Sequence, residues 1–269
     1  MSLYADALKT LTISDLAAMK KAGEKISCLT AYDASFSALL DRAGIDVLLI
    51  GDSLGMVIQG HGSTLPVTVN DMVYHSRSVA MARKRAFVVT DLPFASYATP
   101  EQALLNAASL IQAGGAQMVK LEGAKIDVIR FLVDQGIPVC GHLGLLPQSV
   151  NRLGGYKVQG REEQQARQIV ADAEKIEQAG AGLLVLECVP AQLAAEISQR
   201  LSIPTIGIGA GVDCDGQVLV LYDMLNISTG KRPRFSKDFM AEASSIEEAV
   251  RRYHQAVKSA QFPASEHSY

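Results

Sequence analysis

Five acidic residues and one histidine sit where short apolar runs of this sequence end: Asp33, Asp52, Asp91, Glu122, Glu187 and His142. Loops that lead into helices favour Asp as an N-cap whatever the function, so each Asp has a plain alternative reading. Asp33 directly precedes a helical pattern and reads first as a cap. Asp52 in LLIGDSLGM has no helix pattern close behind it, and Asp91 in VVTDLPF runs into a proline, so capping explains neither well. Glu122 in VKLEG and Glu187 in LVLEC cap poorly and lie within apolar runs. A carboxylate buried there must be paired, metal-bound or protonated. Lys120 alternates with Glu122, and the period of two in a strand turns both side chains to one face while Leu121 takes the other. A structural partner for Glu122 and a binder of substrate both fit that spacing. His142 in CGHLGL is a candidate proton shuttle or substrate donor, and equally a histidine that satisfies a buried hydrogen bond.

Hard oxygen donors without a cysteine or histidine cluster suit Mg²⁺ or Mn²⁺ better than zinc. Such an ion, chelating a 2-oxo acid through its carboxylate and carbonyl oxygens, stabilises an enolate, and a glutamate left off the metal removes the adjacent proton. That is an aldol-type site.

The elements that must gather these residues are legible as alternation. Near-continuous apolar runs at 25–31, 46–51, 87–92, 117–122, 137–142, 183–188, 204–209 and 217–222 suggest strands buried on both faces, as in a parallel sheet. Helix signals fill the gaps. Ser14, Asp33, Asn70 and Thr99-Pro100-Glu101 open helical patterns, Ser245 with Glu248 fits a capping box, and Gly23, Gly44, Gly114, Gly136 and Gly180 follow helical runs as left-handed caps do. Eight strands alternating with helices predict a closed (β/α)₈ barrel, with an open doubly wound sheet as the alternative. We read 1–269 as one domain with a helical N-terminal extension over 1–24. The glycine-rich stretches 53–69 and 143–161 are too long for plain connectors and are candidates to cover a site.

Composition excludes several classes. With 25 basic against 28 acidic residues the chain carries a formal net charge of −3 and shows no like-charge block, so no footprint for nucleic acid or an anionic membrane. No apolar run approaches the ~20 residues of a membrane span. The four cysteines lack a CxxC spacing; Cys28, Cys140 and Cys188 lie in or beside apolar runs and Cys214 in a polar turn, which argues against a disulfide framework or zinc knuckle. A cytoplasmic location is the default expectation. GIGAG (207–211) lacks the full phosphate-binding fingerprint and reads first as tight barrel closure. His75 and His254 lie in helical patterns as surface or packing residues, and the amphipathic helix after Ser245 reads as a barrel cover or an oligomer contact.

The motifs GDSLGMVIQGHGSTLPVTV, TDLPFASYATPEQA, MVKLEG, VCGHLGLLPQSVNRLGGYKVQGR, LLVLECVP and IPTIGIGAG, in that order from about Lys25 onward, resemble the ketopantoate hydroxymethyltransferase family. The resemblance implies a (β/α)₈ barrel that transfers a one-carbon unit from 5,10-methylenetetrahydrofolate to 3-methyl-2-oxobutanoate, with one Mg²⁺ per subunit. It implies Asp52 and Asp91 as Mg²⁺ ligands and Glu122 as a third acid of the metal site, acting through water. It further implies Ser53 and Lys120 as binders of the substrate carboxylate, with Asp52 and Asp91 also in the substrate-binding set, Glu187 as the proton acceptor at C3, and a homodecamer. The folate pocket stays unassigned, with Tyr32, His142 and the loop around Tyr156 as guesses. Two other readings compete. A barrel of the phosphoenolpyruvate mutase and isocitrate lyase type predicts a reactive cysteine in a flexible loop, and a metal-stabilised scaffold predicts assembly without turnover.

Overall fold

The alternation resolves, in a computed structural model, into a closed barrel of eight parallel strands in which every strand pairs with its neighbours in chain order. Residues 9–228 and 232–269 are described. The strands are β1 (Ile26–Thr30), β2 (Val47–Ile50), β3 (Phe87–Asp91), β4 (Met118–Lys120), β5 (Val139–Gly144), β6 (Leu183–Glu187), β7 (Thr205–Ile208) and β8 (Gly216–Leu219). The ring closes where β1 meets β8, with Cys28 opposite Val218.

Because side chains alternate along a strand, each strand feeds two cores. Cys28, Val47, Leu49, Phe87, Val89, Met118, Cys140, Leu183, Val185, Ile206 and Val218 point inward and pack together. Leu29, Leu48, Ile50, Val88, Val119, Leu121, Leu184 and Leu186 point outward and are covered by the helices. Helix Ile13–Ala22 closes the N-terminal end of the barrel by inserting Leu16, fully buried, among Ile26, Phe87, Met118 and Leu183. Truncating Leu16 to Ala would cost about 2–5 kcal/mol through the void left behind. The helix Ile246–Lys258 lies on the outside, its apolar stripe of Ala249, Val250, Tyr253 and Val257 buried and the Tyr253 hydroxyl donating to the Cys28 and Gln217 carbonyls.

Several local expectations shift. The first helix is capped by Thr12 and the helix Val69–Ala82 by Thr68, not by Ser14 or Asn70. In each a threonine and the aspartate three residues on, Asp15 or Asp71, bond reciprocally and outcompete the nearer candidates. Only half the predicted box forms at Ser245: its hydroxyl accepts from the Glu248 N–H, while the Glu248 carboxylate binds Ser244. Gly115 rather than Gly114 takes the left-handed conformation. Strand β8 ends at Leu219, and Leu221–Met224 is helical. Cys214, expected in a polar turn, is buried with the other three cysteines, and all four are free thiols. The start of the N-terminal extension, residues 1–8, lies outside the described residues. Among the described residues no helix is long and apolar enough to cross a membrane.

Candidate active site

Two apolar layers fill the barrel from below, and the next inward-facing layer is polar. On β3 the inward series runs Phe87, Val89, Asp91; on β6 it runs Leu183, Val185, Glu187; on β4 Met118 is followed inward by Lys120 and, just past the strand end, Glu122. His142 continues the inward series of β5 after Cys140. Parity along each strand thus delivers four chemically active side chains and the nearby Glu122 to the C-terminal end, where barrel enzymes place their chemistry. Asp52 and Ser53 arrive differently, on the turn between β2 and the short helix Leu54–Val57. Gly51 leaves room for both side chains: a Cβ there would come within 2.8 Å of Ser53 Oγ and 3.7 Å of Asp91 Oδ2. A second glycine, Gly144 (φ +94°), ends β5 where a Cβ would fall 2.2 Å from the Glu187 carbonyl oxygen, so the approach of β5 to β6 beside Glu187 requires it.

These residues open onto one cavity of about 680 Å³. In its floor Lys120 Nζ donates to Asp91 Oδ1 at 2.5 Å, and the Asp52 backbone N–H donates to Asp91 Oδ2 at 3.1 Å. Burial opposes the charge on Lys120, but Asp91, Asp52 and Glu122 more than offset it and raise its pKa, so it is a fixed cation. One lysine is shared among several carboxylates. Burial and the neighbouring Asp91 push the Asp52 carboxyl up to about 7, against the pull of Lys120 and Gln148. Burial and Asp52 raise Glu122 well above the ordinary range as well. His142 is 2% exposed, with Nε2 3.3 Å from Glu187 Oε2 and Nδ1 3.8 Å from Glu122 Oε1. Neither contact is aligned as a hydrogen bond, and burial lowers the pKa of the ring, leaving it neutral. Ser53 Oγ lies 2.9 Å from the Tyr32 hydroxyl.

The six principal candidates Asp52, Ser53, Asp91, Lys120, Glu122 and Glu187, with His142, therefore line a single cavity. Asp33 does not join them: its Oδ1 accepts from the Phe36 N–H at 2.9 Å as an N-cap. Two residues that no strand pattern indicated hold the cluster together. Gln148, in the 3₁₀ turn Pro147–Ser149, donates through Nε2 to Asp52 Oδ2 at 2.8 Å and to the Leu92 carbonyl at 3.0 Å, while its backbone N–H donates to Glu122 Oε2 at 3.1 Å. Tyr97 donates its hydroxyl proton to Gln148 Oε1 and accepts from the Glu122 N–H at 3.3 Å. The segments 53–69 and 143–161 do contribute to the cavity, through Met56, Val57, His61, Tyr156 and Lys157.

The carboxylates are hard donors in excess of the cation among them. Among the described residues, however, no three His, Cys, Asp or Glu side chains stand close enough to hold one ion by themselves. A site of this kind suits an ion that takes one or two carboxylates and completes its shell with water and substrate oxygens, as Mg²⁺ does.

Comparison with known proteins bears on the family and the fold. Residues 10–265 match the family model described as ketopantoate hydroxymethyltransferase. The chain is 61% identical over 261 residues to a Burkholderia cenocepacia protein named 3-methyl-2-oxobutanoate hydroxymethyltransferase 1, covering 96% of each. It is 59% identical to the Nitrosococcus oceani 3-methyl-2-oxobutanoate hydroxymethyltransferase, covering 96% of this chain and 99% of that one. Among solved structures it is similar to phosphoenolpyruvate phosphomutase from Streptomyces platensis subsp. rosaceus (TM-score 0.59, 15% identity, 80% of this chain and 83% of that chain). It is also similar to a phosphonopyruvate hydrolase solved with oxalate and Mg²⁺ (TM-score 0.59, 10% identity, 93% and 98%). At these identities the solved structures show the fold alone.

Proposed function

The chain belongs to the ketopantoate hydroxymethyltransferase family, and we propose from that premise and the site's geometry that it transfers a hydroxymethyl group from 5,10-methylenetetrahydrofolate to 3-methyl-2-oxobutanoate. The products are 2-dehydropantoate and tetrahydrofolate, with water supplying the hydroxyl oxygen. The observation that carries the mechanism is that Glu187 opens to the same cavity as the buried Asp91–Lys120 pair and, among the described residues, has no cation bound to it beyond its approach to neutral His142.

Asp52 and Asp91 would hold a divalent ion, Mg²⁺ by donor type, with Glu122 acting on it through water. The excess of carboxylates over Lys120, and the raised proton affinity of Asp52 and Glu122, support that assignment. When bound, the ion supplies Lewis-acid polarisation of the substrate carbonyl. Lys120 and the Ser53 hydroxyl bind the substrate carboxylate, and the lysine's fixed charge favours the enolate over the neutral keto form. Water adds to the donor's methylene carbon and releases it from both folate nitrogens as formaldehyde. Glu187 removes the proton from C3, the resulting carbanion bonds to that carbon, and the carbonyl oxygen that becomes the hydroxyl takes up a proton, for which protonated Glu187 is the source. His142 packs against Glu187, and its uncharged ring places no cation beside that carboxylate.

The test is proton-to-deuterium exchange at C3 of 3-methyl-2-oxobutanoate, followed by NMR with and without Mg²⁺. Exchange is expected to depend on the ion and to fall by roughly 10²–10⁴ in Glu187→Gln. Undiminished exchange in that variant removes Glu187 as the base. Formation of 2-dehydropantoate on adding the folate donor separates the transferase from a mutase or lyase of the same fold. The cysteines already weigh against the latter: all four are buried, and burial pushes the Cys140 thiol up to about 12 and the Cys214 thiol up to about 11.

The proposal includes a cytoplasmic location and a homodecamer. Exposed Tyr74 and Met81 on helix Val69–Ala82, with Leu105 on the adjacent helix Pro100–Gln112, offer apolar surface for contacts between copies. Sedimentation velocity would check the assembly, and a monomeric boundary at micromolar protein would refute it.

A further inference from the structure

The strand that carries Glu187 ends unlike its neighbours. On β3, β4 and β5 the residue after the inward polar side chain keeps the alternation of the strand. Leu92 after Asp91, Leu121 after Lys120 and Leu143 after His142 all turn outward and pack under the helices. On β6 the outward series is Leu184 and Leu186, so the residue after Glu187 should join it. Instead Cys188 borders the cavity beside Glu187, and Val189 takes the outward place, fully buried. The phase of the chain slips by one residue.

The slip is made in the backbone. Cys188 has φ +47°, in the left-handed region that a residue with a Cβ enters only at a cost. Such a conformation persists where the surroundings over-determine it. Here the peptide group between Glu187 and Cys188 is held from both sides, its carbonyl accepting from the Leu145 N–H at 2.8 Å and its N–H donating to the Ile208 carbonyl at 2.8 Å. The next carbonyl, that of Cys188, accepts from the Gln159 N–H at 2.9 Å. The ends of β5 and β7 and the segment 143–161 thus grip the chain on either side of Cys188. Were Cys188 extended, Val189 would share a face with Glu187 and bring an isopropyl group into the cavity beside the carboxylate.

We infer that the left-handed turn at Cys188 is a positioning device for Glu187: it ends β6 so that the carboxylate stays open to the cavity and sends Val189 to the helix layer. Cys188 acts through its backbone, and its thiol takes no part. That role rests on the reading of Glu187 as the proton acceptor and adds what holds the acceptor in place.

The experiment separates backbone conformation from side-chain chemistry. Cys188→Gly, Cys188→Asn, Cys188→Ala, Cys188→Val and Cys188→Thr are compared with Glu187→Gln by Mg²⁺-dependent deuterium exchange at C3 of saturating 3-methyl-2-oxobutanoate, and by Mg²⁺ affinity in titration calorimetry. Glycine and asparagine enter the left-handed region readily, and alanine removes the sulfur while leaving the backbone preference as it was. These three should keep exchange within about twofold. Valine and threonine are branched at Cβ and resist that region, so exchange should fall by roughly a hundredfold, the scale of a catalytic group displaced by about 1 Å. Mg²⁺ affinity should stay the same in all five, because the aspartates lie on other strands. Full exchange in both branched variants overturns the inference. So does a loss in the asparagine variant, close to valine in size, as large as in valine, or the same loss in the glycine or alanine variant. A parallel loss of Mg²⁺ affinity in the branched variants overturns it as well, since the damage would then not be confined to Glu187. In each of these cases a silent Glu187→Gln leaves the proton acceptor in place, whereas full exchange in Glu187→Gln overturns that reading itself.

Discussion

Two buried aspartates bracket β2, and they titrate in opposite directions. Asp46 precedes the strand at the N-terminal end of the barrel, and Asp52 follows it at the C-terminal end. Burial works to raise the pKa of Asp46, but Lys258, Arg85 and Ser27 overcome it and hold the carboxyl below its ordinary value. Lys258 Nζ lies 2.8 Å and Arg85 Nη2 2.7 Å from its oxygens, and Ser27 donates both its N–H and its hydroxyl at 3.0 Å. Among the described residues Asp52 receives only the Gln148 amide, and Lys120, the cation within the cluster, is bound to Asp91. Residue type and burial are the same, so the difference lies in whether cations are dedicated to the carboxylate. Where they are, the charge is complete and serves the fold. Where one cation is divided among several acids, a deficit of positive charge remains for a ligand to fill.

The largest expected effects are a matched pair that would break this contrast if reversed. Asp46→Asn leaves Arg85 and Lys258 facing a neutral amide and should lower stability by about 3–5 kcal/mol in urea denaturation. The kcat of the protein that remains folded should be unchanged. Asp52→Asn should lower turnover by about a hundredfold or more. It should leave the denaturation midpoint of the metal-free protein unchanged or raised, because a crowded carboxylate gives way to a neutral side chain of the same shape. A stable Asp46→Asn enzyme, or an Asp52→Asn enzyme that unfolds early, would show that the two ends are not divided in this way.

The pH dependence sharpens the same point on a smaller scale. A carboxyl whose folded pKa is raised contributes stability that is present below its unfolded value, 3.8, and is lost as pH rises through about 7. Glu122, also raised, acts with the same sign. Asp46 does the reverse, contributing above the unfolded value and losing that contribution only as pH falls through its lowered one. Between pH 5.5 and 8 the Asp46 contribution is therefore flat. The metal-free protein, measured in chelator, should lose on the order of 2 kcal/mol across that range. Asp52→Asn should flatten part of the slope, and Mg²⁺ should protect more strongly at the alkaline end. A flat profile in the original protein would mean that Asp52 is already compensated.

What the chain reveals before folding follows the same divide. Asp91, Lys120 and Glu187 stand on strands, where the period of two fixes the face of every residue, so apolar patterning alone turned them inward. Asp52 was legible for a different reason: no helical pattern stands close behind it in the sequence, and the one-turn helix Leu54–Val57 that does follow takes no side-chain cap. Gln148 and Tyr97 lie in loops, where no period constrains direction, and their partners Asp52 and Glu122 are remote in sequence. Asp46 opened an apolar run with no visible partner because Lys258 comes from the last long helix of the chain. The helix caps misread at Ser14 and Asn70 were instead decided within three residues: a threonine and aspartate at box spacing prevail over a closer single candidate.

The smallest predicted effect tests which side of the contrast Tyr97 belongs to. Its hydroxyl proton goes to Gln148 Oε1, which obliges the amide to present Nε2 to Asp52 and to the Leu92 carbonyl. Tyr97→Phe removes that constraint and leaves the Glu122 N–H without its acceptor. The stability cost should be about 1 kcal/mol, the scale of a single buried hydrogen bond. If the tyrosine serves the site, freeing the Gln148 amide to turn its oxygen toward Asp52 should also weaken Mg²⁺ binding severalfold by titration calorimetry, and ion-dependent exchange at C3 should fall in parallel. Were the stability cost to appear with Mg²⁺ affinity intact, Tyr97 would belong with Asp46 and Ser27 as part of the scaffold, and the frustrated charge at the C-terminal end would be held by Gln148 alone.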